Sequence, residues 1–251
     1  MGKIDCRKPL WLNLHHTFHK SPTYVSVQAF HAGKASMKAV TERLEKWLEA
    51  NIPETLEDLA PGCSDAAIAE FESIVGKPFP ESLKQLYKWR DGQRGAANSG
   101  PFYGLEFLSL AKARDNWESW KSIIDGWSPE EMTEASAFCT SATPDAVQKL
   151  YASKYWIPFA YDYGGNHLGV DLDPGALGTV GQVINFGSDE DDKYVVATSV
   201  AAFMEWLVDQ LESGNFMIEE EDDGSRSLNT KTPEMFHFLD AVPVLFGAQS
   251  A

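Results

Sequence analysis

A change in hydrophobic periodicity near residue 156 restricts the possible folds of this chain more than any other feature. Up to that point apolar residues recur every three or four positions, as Met37, Val40 and Leu44 do, which is typical of amphipathic helices. Between residues 156 and 198 the β-prone runs WIPFAYD, HLGVDLD, QVINF and KYVVAT follow one another across short turns. Ser199 then precedes another amphipathic segment. Because βαβ alternation is absent, the order predicts an α+β fold: a largely antiparallel mixed sheet flanked by helices.

Capping and turn residues predict several boundaries. Ser64 and Gly76 enclose one helix, and Ser-Pro-Glu-Glu at 128–131 has the pattern of a capping box. The Thr-Pro-Asp sequence at 143–145 predicts a helix that runs to about Ser153. The aromatic run FYGLEFLS, residues 102–109, predicts a strand.

Charge is distributed unevenly along the chain and suggests three parts. The net charge is −16, yet residues 1–50 carry 8 Lys and Arg against 4 Asp and Glu. We expect a basic N-terminal extension over 1–36, an α+β domain over 37–214, and a C-terminal extension over 215–251 that packs on the domain. The acidic run EEEDDGSR in that last part indicates a loop or a hairpin tip.

Composition narrows the class of protein and the class of partner. Hydrophobic residues make up 43% and charged residues 23%, as in ordinary folded domains. An acidic body repels phosphate backbones, so we expect no nucleic-acid partner, whereas it attracts a positively charged protein. The 3 cysteines form no C-x-x-C pair, and no signal-peptide or membrane-spanning stretch is present. We therefore predict a cytoplasmic protein with no membrane partner.

The sequence contains none of the common catalytic motifs for nucleophiles, nucleotides or zinc, so we expect no enzyme, no catalytic residue and no cofactor. Its densest polar cluster is DYGGNHLGVDLDPG. Read as a metal site, that cluster would use Asp162, His167, Asp171 and Asp173. Asp before Pro-Gly is also a common turn residue, and D-x-D alone is too short to be selective, so we expect no metal.

Acidic runs with neighbouring aromatic residues suggest a protein-binding surface, because Trp and Tyr often anchor interfaces. We expect its residues to be Trp127, Asp162, Tyr163, Asn166, Asp171, Asp173, Asp189, Glu190, Asp191, Asp192, Tyr194, Glu219, Glu220, Glu221, Asp222 and Asp223.

The order of motifs resembles a known family. The helix and turn from Pro80 to Gly92, the strand and turn from Pro158 to Asn166, and the D-x-D-P segment from Asp171 to Pro174 are similar to the SUKH superfamily. They are closest to its branch named for the fungal cell-wall-assembly and killer-toxin-resistance regulator. The match covers roughly residues 60–214. It implies an α+β fold with a largely antiparallel sheet, and a protein that is not an enzyme.

The resemblance implies two functions. Bacterial members look like immunity proteins, which would make this chain the inhibitor of a cognate toxin with a basic surface, such as a nuclease. Fungal members regulate cell-wall glucan synthesis, which would make it a regulatory scaffold. Because the chain lacks the long polar flanks typical of fungal members, we expect the immunity protein. A metal-dependent hydrolase or transferase is the third class.

Overall fold

The computed structural model describes residues 35–97, 99–220, 222 and 224–247. Nearly all of the predicted extension over 1–36 lies outside these residues, as do Glu221 and Asp223.

The described residues form helices α1 (Met37–Asn51), α2 (Pro53–Asp58), α3 (Asp65–Val75), α4 (Glu81–Trp89), α5 (Leu110–Gly126), α6 (Pro129–Ala135), α7 (Val200–Glu212) and α8 (Phe238–Phe246). The strands are β1 (Leu59–Pro61), β2 (Arg90–Gln93), β3 (Glu106–Phe107), β4 (Thr140–Ser141), β5 (Trp156–Tyr161), β6 (Asn166–Asp171), β7 (Gln182–Gly187), β8 (Asp192–Lys193), β9 (Val195–Ala197), β10 (Met217–Glu220), β11 (Arg226–Lys231) and β12 (Glu234–Met235).

The strands confirm the predicted α+β class. The main sheet has the order β3-β5-β6-β7-β9, and all of its neighbouring strands are antiparallel. Two smaller sheets, β1-β2 and β10-β11-β12, are also antiparallel, whereas β4 and β8 form a short parallel pair.

Serine caps set the starts of several helices. The Ser64 hydroxyl accepts the backbone N–H of Ala67, and Gly76 ends the same helix with a left-handed φ of 78°. Ser128 and Glu131 form both hydrogen bonds of the predicted capping box. A cap of this kind satisfies backbone donors that the first helical turn leaves free, which explains why these boundaries agree with the local sequence.

Both faces of the main sheet are buried. On one face Phe159, Leu168 and Val183 belong to the large core that also contains residues of α1, α4 and α7. On the other face Trp156 and Phe186 belong to a smaller core on which Trp120 and other partly buried side chains pack. The sheet is thus the middle layer of the protein, and its loops emerge at the two ends of the strands.

Two sequence-based predictions differ from the structure. Thr143–Ser153 is not a helix: Asp145 has a left-handed φ of 55°. The Asp145 and Ala146 carbonyls instead accept hydrogen bonds from the backbone of Leu177 and Gly175, at 2.9 and 3.0 Å. The predicted strand over 102–109 is shortened to β3.

The shortening of that strand has a local cause. Tyr103 and Gly104 have φ values of 50° and 87°, which turn the chain before β3 begins. Positive φ is incompatible with extended strand geometry, so the aromatic run forms a tight turn followed by only two paired residues.

The C-terminal residues form a hairpin and a final helix. The β10–β11 hairpin pairs Glu220 with Arg226, so the predicted hairpin tip lies between them. Phe216 contacts Trp47 at a ring-centroid distance of 4.8 Å, and Phe238 stacks on Tyr103 at 5.3 Å.

Gly169 offers a test of the packing against the sheet. A Cβ atom at Gly169 would overlap the Phe186 ring and would lie 2.7 Å from the carbonyl oxygen of Ile157. We expect Gly169→Ala to lower the free energy of unfolding by about 1 to 3 kcal/mol, the usual range for overpacking, as measured by urea denaturation.

The matched control is Gly126→Ala at the end of α5, where a Cβ atom would meet nothing within 4 Å. It should be neutral or stabilising by up to about 1 kcal/mol. Equal destabilisation by the two variants would contradict the packing described for Gly169.

Candidate functional site

Acidic side chains gather where β5 turns into β6 and where the chain leaves β7. We call this surface the acidic end and define it by Asp162 and Asp189–Asp192. Asp189, Asp191 and Asp192 are exposed, whereas the Asp162 side chain is only 4% exposed. In the described part of the chain, none of these three exposed carboxylates forms an ion pair with a Lys or Arg. The acidic end therefore carries a net negative charge at its surface.

Asn166 connects the two loops of the acidic end. Its Nδ2 donates to an Asp162 oxygen at 2.8 Å and to an Asp189 oxygen at 3.1 Å, while its Oδ1 accepts the Asp189 N–H at 3.0 Å. Asp162 also accepts the N–H groups of Gly164 and Asn166 at 2.6 and 2.9 Å. The predicted residues Asp162, Asn166 and Asp189 thus form one network that holds the β5–β6 turn against the next loop.

His237, which the sequence did not single out, joins this network from the C-terminal part of the chain. Its Nε2 lies 3.5 Å from an Asp162 oxygen. Burial opposes ionisation of Asp162, but hydrogen bonds from His237, Asn166 and Gly164 outweigh it and hold the pKa of Asp162 below its usual range. The hydrogen bond to Asp162 in turn raises the pKa of His237. No local sequence signal links residues so far apart.

The segment after Asp189 is tied to the strands by buried groups. Asn185 donates to a Glu190 carboxylate oxygen and accepts the Tyr194 N–H at 2.6 Å. The Lys193 side chain is fully buried, and its ammonium donates to the Glu190 carbonyl. Burial lowers the pKa of Lys193. The exposed carboxylates of Asp191 and Asp192 are therefore carried on a well-anchored segment.

Aromatic side chains border the acidic end. Tyr163, with φ 63° at the β5–β6 turn, is 65% exposed, and Tyr194 is half-buried. Burial, followed by the charge of Glu106 and a hydrogen bond to it, raises the pKa of Tyr163 to about 12. Trp127 is half-buried and contacts Tyr151 at a ring-centroid distance of 5.6 Å. Phe138, 80% exposed just before the Cys139 contact with Asp191, is a further aromatic that the sequence interpretation missed.

Asp171 and Asp173 do not belong to the acidic end. They lie at the opposite end of β6, on the order of 17 Å away along a six-residue strand. Asp171 is fully buried and accepts from Gln182 at 3.0 Å, and burial raises its pKa to about 6. Asp173 accepts from Lys77 at 2.8 Å. The residues that were predicted to form one surface therefore lie at the two opposite ends of β6.

The remaining predicted residues, Glu219, Glu220 and Asp222, lie in or beside the β10–β11 hairpin. Glu219 accepts from Asn229 at 3.2 Å. Within the described residues, no hydrogen bond or ion pair connects these three to the acidic end.

The alternative metal site is not assembled. His167 stacks between Tyr161 and Phe186 and makes a 3.1 Å hydrogen bond with Asn116, while burial lowers its pKa to about 4. Asp171 and Asp173 lie at the far end of the strand. In the part of the chain that the structure describes, no group of three His, Cys, Asp or Glu residues is arranged to hold a metal ion.

The contact between His237 and Asp162 predicts a pH dependence of stability. Because the folded state raises the pKa of His237, its contribution is fully present below the unfolded-state pKa near 6.5 and is lost as the pH rises through the higher folded-state value. We expect His237→Gln to lower the free energy of unfolding by about 1 kcal/mol at pH 5.5, and by less as the pH approaches 9.

Urea denaturation across that pH range would measure this difference. Besides Asp162, the acidic groups that raise the pKa of His237 are Asp240 and Glu190. Asp240→Asn is the control, since that carboxylate is 72% exposed and 4.0 Å from the ring, and it should leave most of the pH dependence intact. A His237→Gln effect that does not change with pH would contradict the ionic contact.

Sequence comparison identifies relatives of this chain among fungal regulators. The chain is 32% identical over 208 residues to the glucan synthesis regulatory protein of Neurospora crassa, covering 72% of this chain and 39% of the relative. It is 31% identical to the cell wall biosynthesis/cell cycle regulator smi1 of Schizosaccharomyces pombe, over 79% of this chain and 40% of the relative. The cell wall assembly regulator SMI1 of Saccharomyces cerevisiae is 28% identical, over 72% and 41%. The chain thus spans about two fifths of the length of these curated relatives.

These relatives overturn the prediction of a bacterial immunity protein with a cognate toxin as its partner, since they are fungal proteins named as regulators of glucan synthesis, of cell wall biosynthesis or of cell wall assembly. The interpretation had relied on missing polar flanks. That argument fails because 72% and 79% of this chain align with two fungal regulators, although the remaining length of those regulators has no match here.

Separately, none of the helices in the described residues is long and apolar enough to cross a bilayer. The SMI1 / KNR4 family (SUKH-1) profile matches residues 62–206, more than half of the sequence. The chain belongs to the SMI1/KNR4 family.

Proposed function

We propose that this chain is a cytosolic, non-enzymatic regulator of cell-wall glucan synthesis that acts as a scaffold for signalling proteins. The observation that carries the proposal is its similarity to the Neurospora crassa glucan synthesis regulatory protein and to two further fungal cell-wall regulators. Residues 37–214 are the domain that performs this role, with 1–36 and 215–251 as its extensions.

The chemistry of the polar residues supports a role without catalysis. The sequence contains no nucleophile, P-loop or zinc-protease motif. The polar cluster that most resembled an active site is engaged in structural contacts: Asp162 binds backbone N–H groups and His237, and Asp171 binds Gln182. Carboxylates that are hydrogen-bonded in this way orient the loops of the protein and are not free to act on a substrate.

The acidic end is the surface that we assign to partner binding. Its exposed carboxylates attract a partner with a basic surface, and Tyr163 supplies an exposed ring beside them. Charge complementarity speeds encounter and selects partners, whereas a buried aromatic anchor supplies much of the affinity. Two free thiols in the described part of the chain, Cys63 and Cys139, are compatible with the reducing cytosol.

A chimaera tests the proposed function. In Saccharomyces cerevisiae, the matched part of the cell wall assembly regulator is replaced by this chain, and the glucan content of the wall is compared with that of a strain lacking the regulator. We expect the chimaera to restore glucan content to near the parental value. A chimaera that is folded, as judged by a cooperative thermal transition, and that behaves like the deletion would overturn the proposal.

A second variant tests the acidic end. Tyr163→Asn combined with Asp191→Lys removes an exposed ring and reverses one charge; Asn tolerates the left-handed backbone at 163. We expect this chimaera to restore roughly half of the glucan content or less, because an anchor and a complementary charge are both lost.

The matched control for the surface variant is Leu177→Asn with Glu49→Lys. It removes an exposed apolar side chain, 73% exposed at Leu177, and makes the same change in charge elsewhere on the protein. Thermal unfolding of the two purified proteins shows whether both remain folded. Equal restoration by both variants would exclude the acidic end as the partner surface.

A further inference from the structure

A second concave surface lies between α3 and the first half of α5. It encloses a cavity of about 360 Å³. The buried residues of its lining are apolar: Phe71 is 2% and Leu110 is 6% exposed. Ala67 and Ala111 leave the space above them open because their side chains are small. We call this cavity, with its lining residues, the α3–α5 groove.

The polar residues of the α3–α5 groove are mostly acidic. Glu70, Asp91, Asp115 and Glu118 line it together with one cation, Arg114. Arg114 is already engaged, with Nη1 3.2 Å from a Glu70 oxygen and Nε 2.8 Å from a Glu118 oxygen. Among the described residues, neither Asp91 nor Asp115 forms an ion pair with a Lys or Arg. The groove therefore carries a net negative charge.

The negative charge of the groove affects one residue of its lining and one residue next to it. Burial, followed by the negative charge of Asp91, raises the pKa of Cys63 to about 11. The Tyr87 hydroxyl is fully buried and has no hydrogen-bond partner within the described part of the chain. Burial, and then the negative charge of Asp91, raise the pKa of Tyr87 as well. Tyr87 is not part of the groove lining but adjoins it, since its carbonyl accepts the Cys63 N–H at 2.9 Å. Buried hydroxyls are usually hydrogen-bonded, which makes this one an exception.

We propose that the α3–α5 groove is a second docking site, which takes an arginine-bearing segment of a partner protein. The methylene stem of arginine can pack on Phe71 and Leu110 while the guanidinium reaches the carboxylates of Asp91 and Asp115. Arginine suits this arrangement because its planar head presents several donors at once to carboxylates. A hydrophobic floor with acidic walls distinguishes this site from a merely solvated acidic surface.

The groove is separate from the acidic end. Arg114 lies in the first half of α5, and Trp127 directly follows the last residue of that helix. The 13 positions between them correspond to about 20 Å along a helix. The groove therefore lies apart from Trp127, one of the aromatic residues that border the acidic end. This inference goes beyond the proposed function, since it holds whether or not the chain regulates glucan synthesis.

Peptide display on the full chain tests the proposal without assuming a partner. A random 12-residue peptide library is selected on the wild-type protein and counter-selected on Ala111→Trp, which fills the groove from an exposed position of α5. We expect the enriched peptides to share an arginine next to apolar residues. The tightest peptide is then synthesised with arginine and with citrulline, its neutral isostere, and binding is measured by fluorescence anisotropy.

We expect citrulline to weaken binding roughly tenfold or more, because charge-assisted hydrogen bonds are lost. Asp115→Asn should also weaken the arginine peptide. Ala50→Trp and Glu49→Gln, on exposed positions of α1, are the matched controls and should leave binding unchanged.

Three results would overturn the proposal. They are the absence of groove-dependent peptides, enriched peptides without basic residues, and equal binding of the citrulline peptide. Spermine serves as a separate probe: if it binds in the groove while no peptide does, the ligand is a small polycation and not a protein segment. None of these results bears on the chimaera experiment, so the two proposals fail independently.

Discussion

The structure depends on how the polar side chains of the two central strands are satisfied. Strands β6 and β7 are buried along their whole length. Strands buried on both faces are usually almost entirely apolar, yet these carry Asn166, His167, Asp171, Gln182 and Asn185. Each buried polar group needs a hydrogen-bond partner, because leaving one unpaired costs about 1 to 3 kcal/mol. The partners come mostly from the loops and neighbouring elements, so the same groups that specify the sheet also specify its loops.

This requirement gives the acidic end its defined shape. The Asn166 side chain forms hydrogen bonds with the Asp162 carboxylate and with the backbone of Asp189. The Asn185 side chain does the same with the Glu190 carboxylate and the backbone of Tyr194. Carboxylates that would repel one another in a free loop are thereby held side by side at the surface. A surface that is already ordered loses less conformational entropy when a partner binds, which favours its use as a recognition surface. The net charge of the chain is −16, and this anchoring concentrates part of that negative charge at one end of the sheet.

Helix α5 connects the two proposed docking surfaces. Its first turns line the α3–α5 groove, and its C-terminal end leads to Trp127 near the acidic end. Between them Trp117 is buried and donates its indole N–H to the Lys154 carbonyl at 2.8 Å, which fastens the helix to the sheet layer. A helix held in this way keeps two surfaces at a constant separation, as a scaffold for two proteins requires. The relatives of this chain are named as regulators, and the charge of both surfaces favours basic partners.

Much of the architecture was predictable from the sequence because it rests on local interactions. Serine caps, Gly76 and the short turns between β-prone runs act within a few residues and set the boundaries of the elements. The order of helical and β-prone segments then indicates the α+β class. Tertiary structure decided the rest. The carbonyls of Asp145 and Ala146 accept hydrogen bonds from a loop about 30 residues further along the chain, so no helix forms there. Asp171 and Asn166 are at opposite ends of β6 and are therefore far apart. His237 reached Asp162 only through the folding of the C-terminal residues. Composition determined that the surface is acidic, but sheet register and burial determined which acidic residues lie together, since both depend on contacts between residues far apart in the chain.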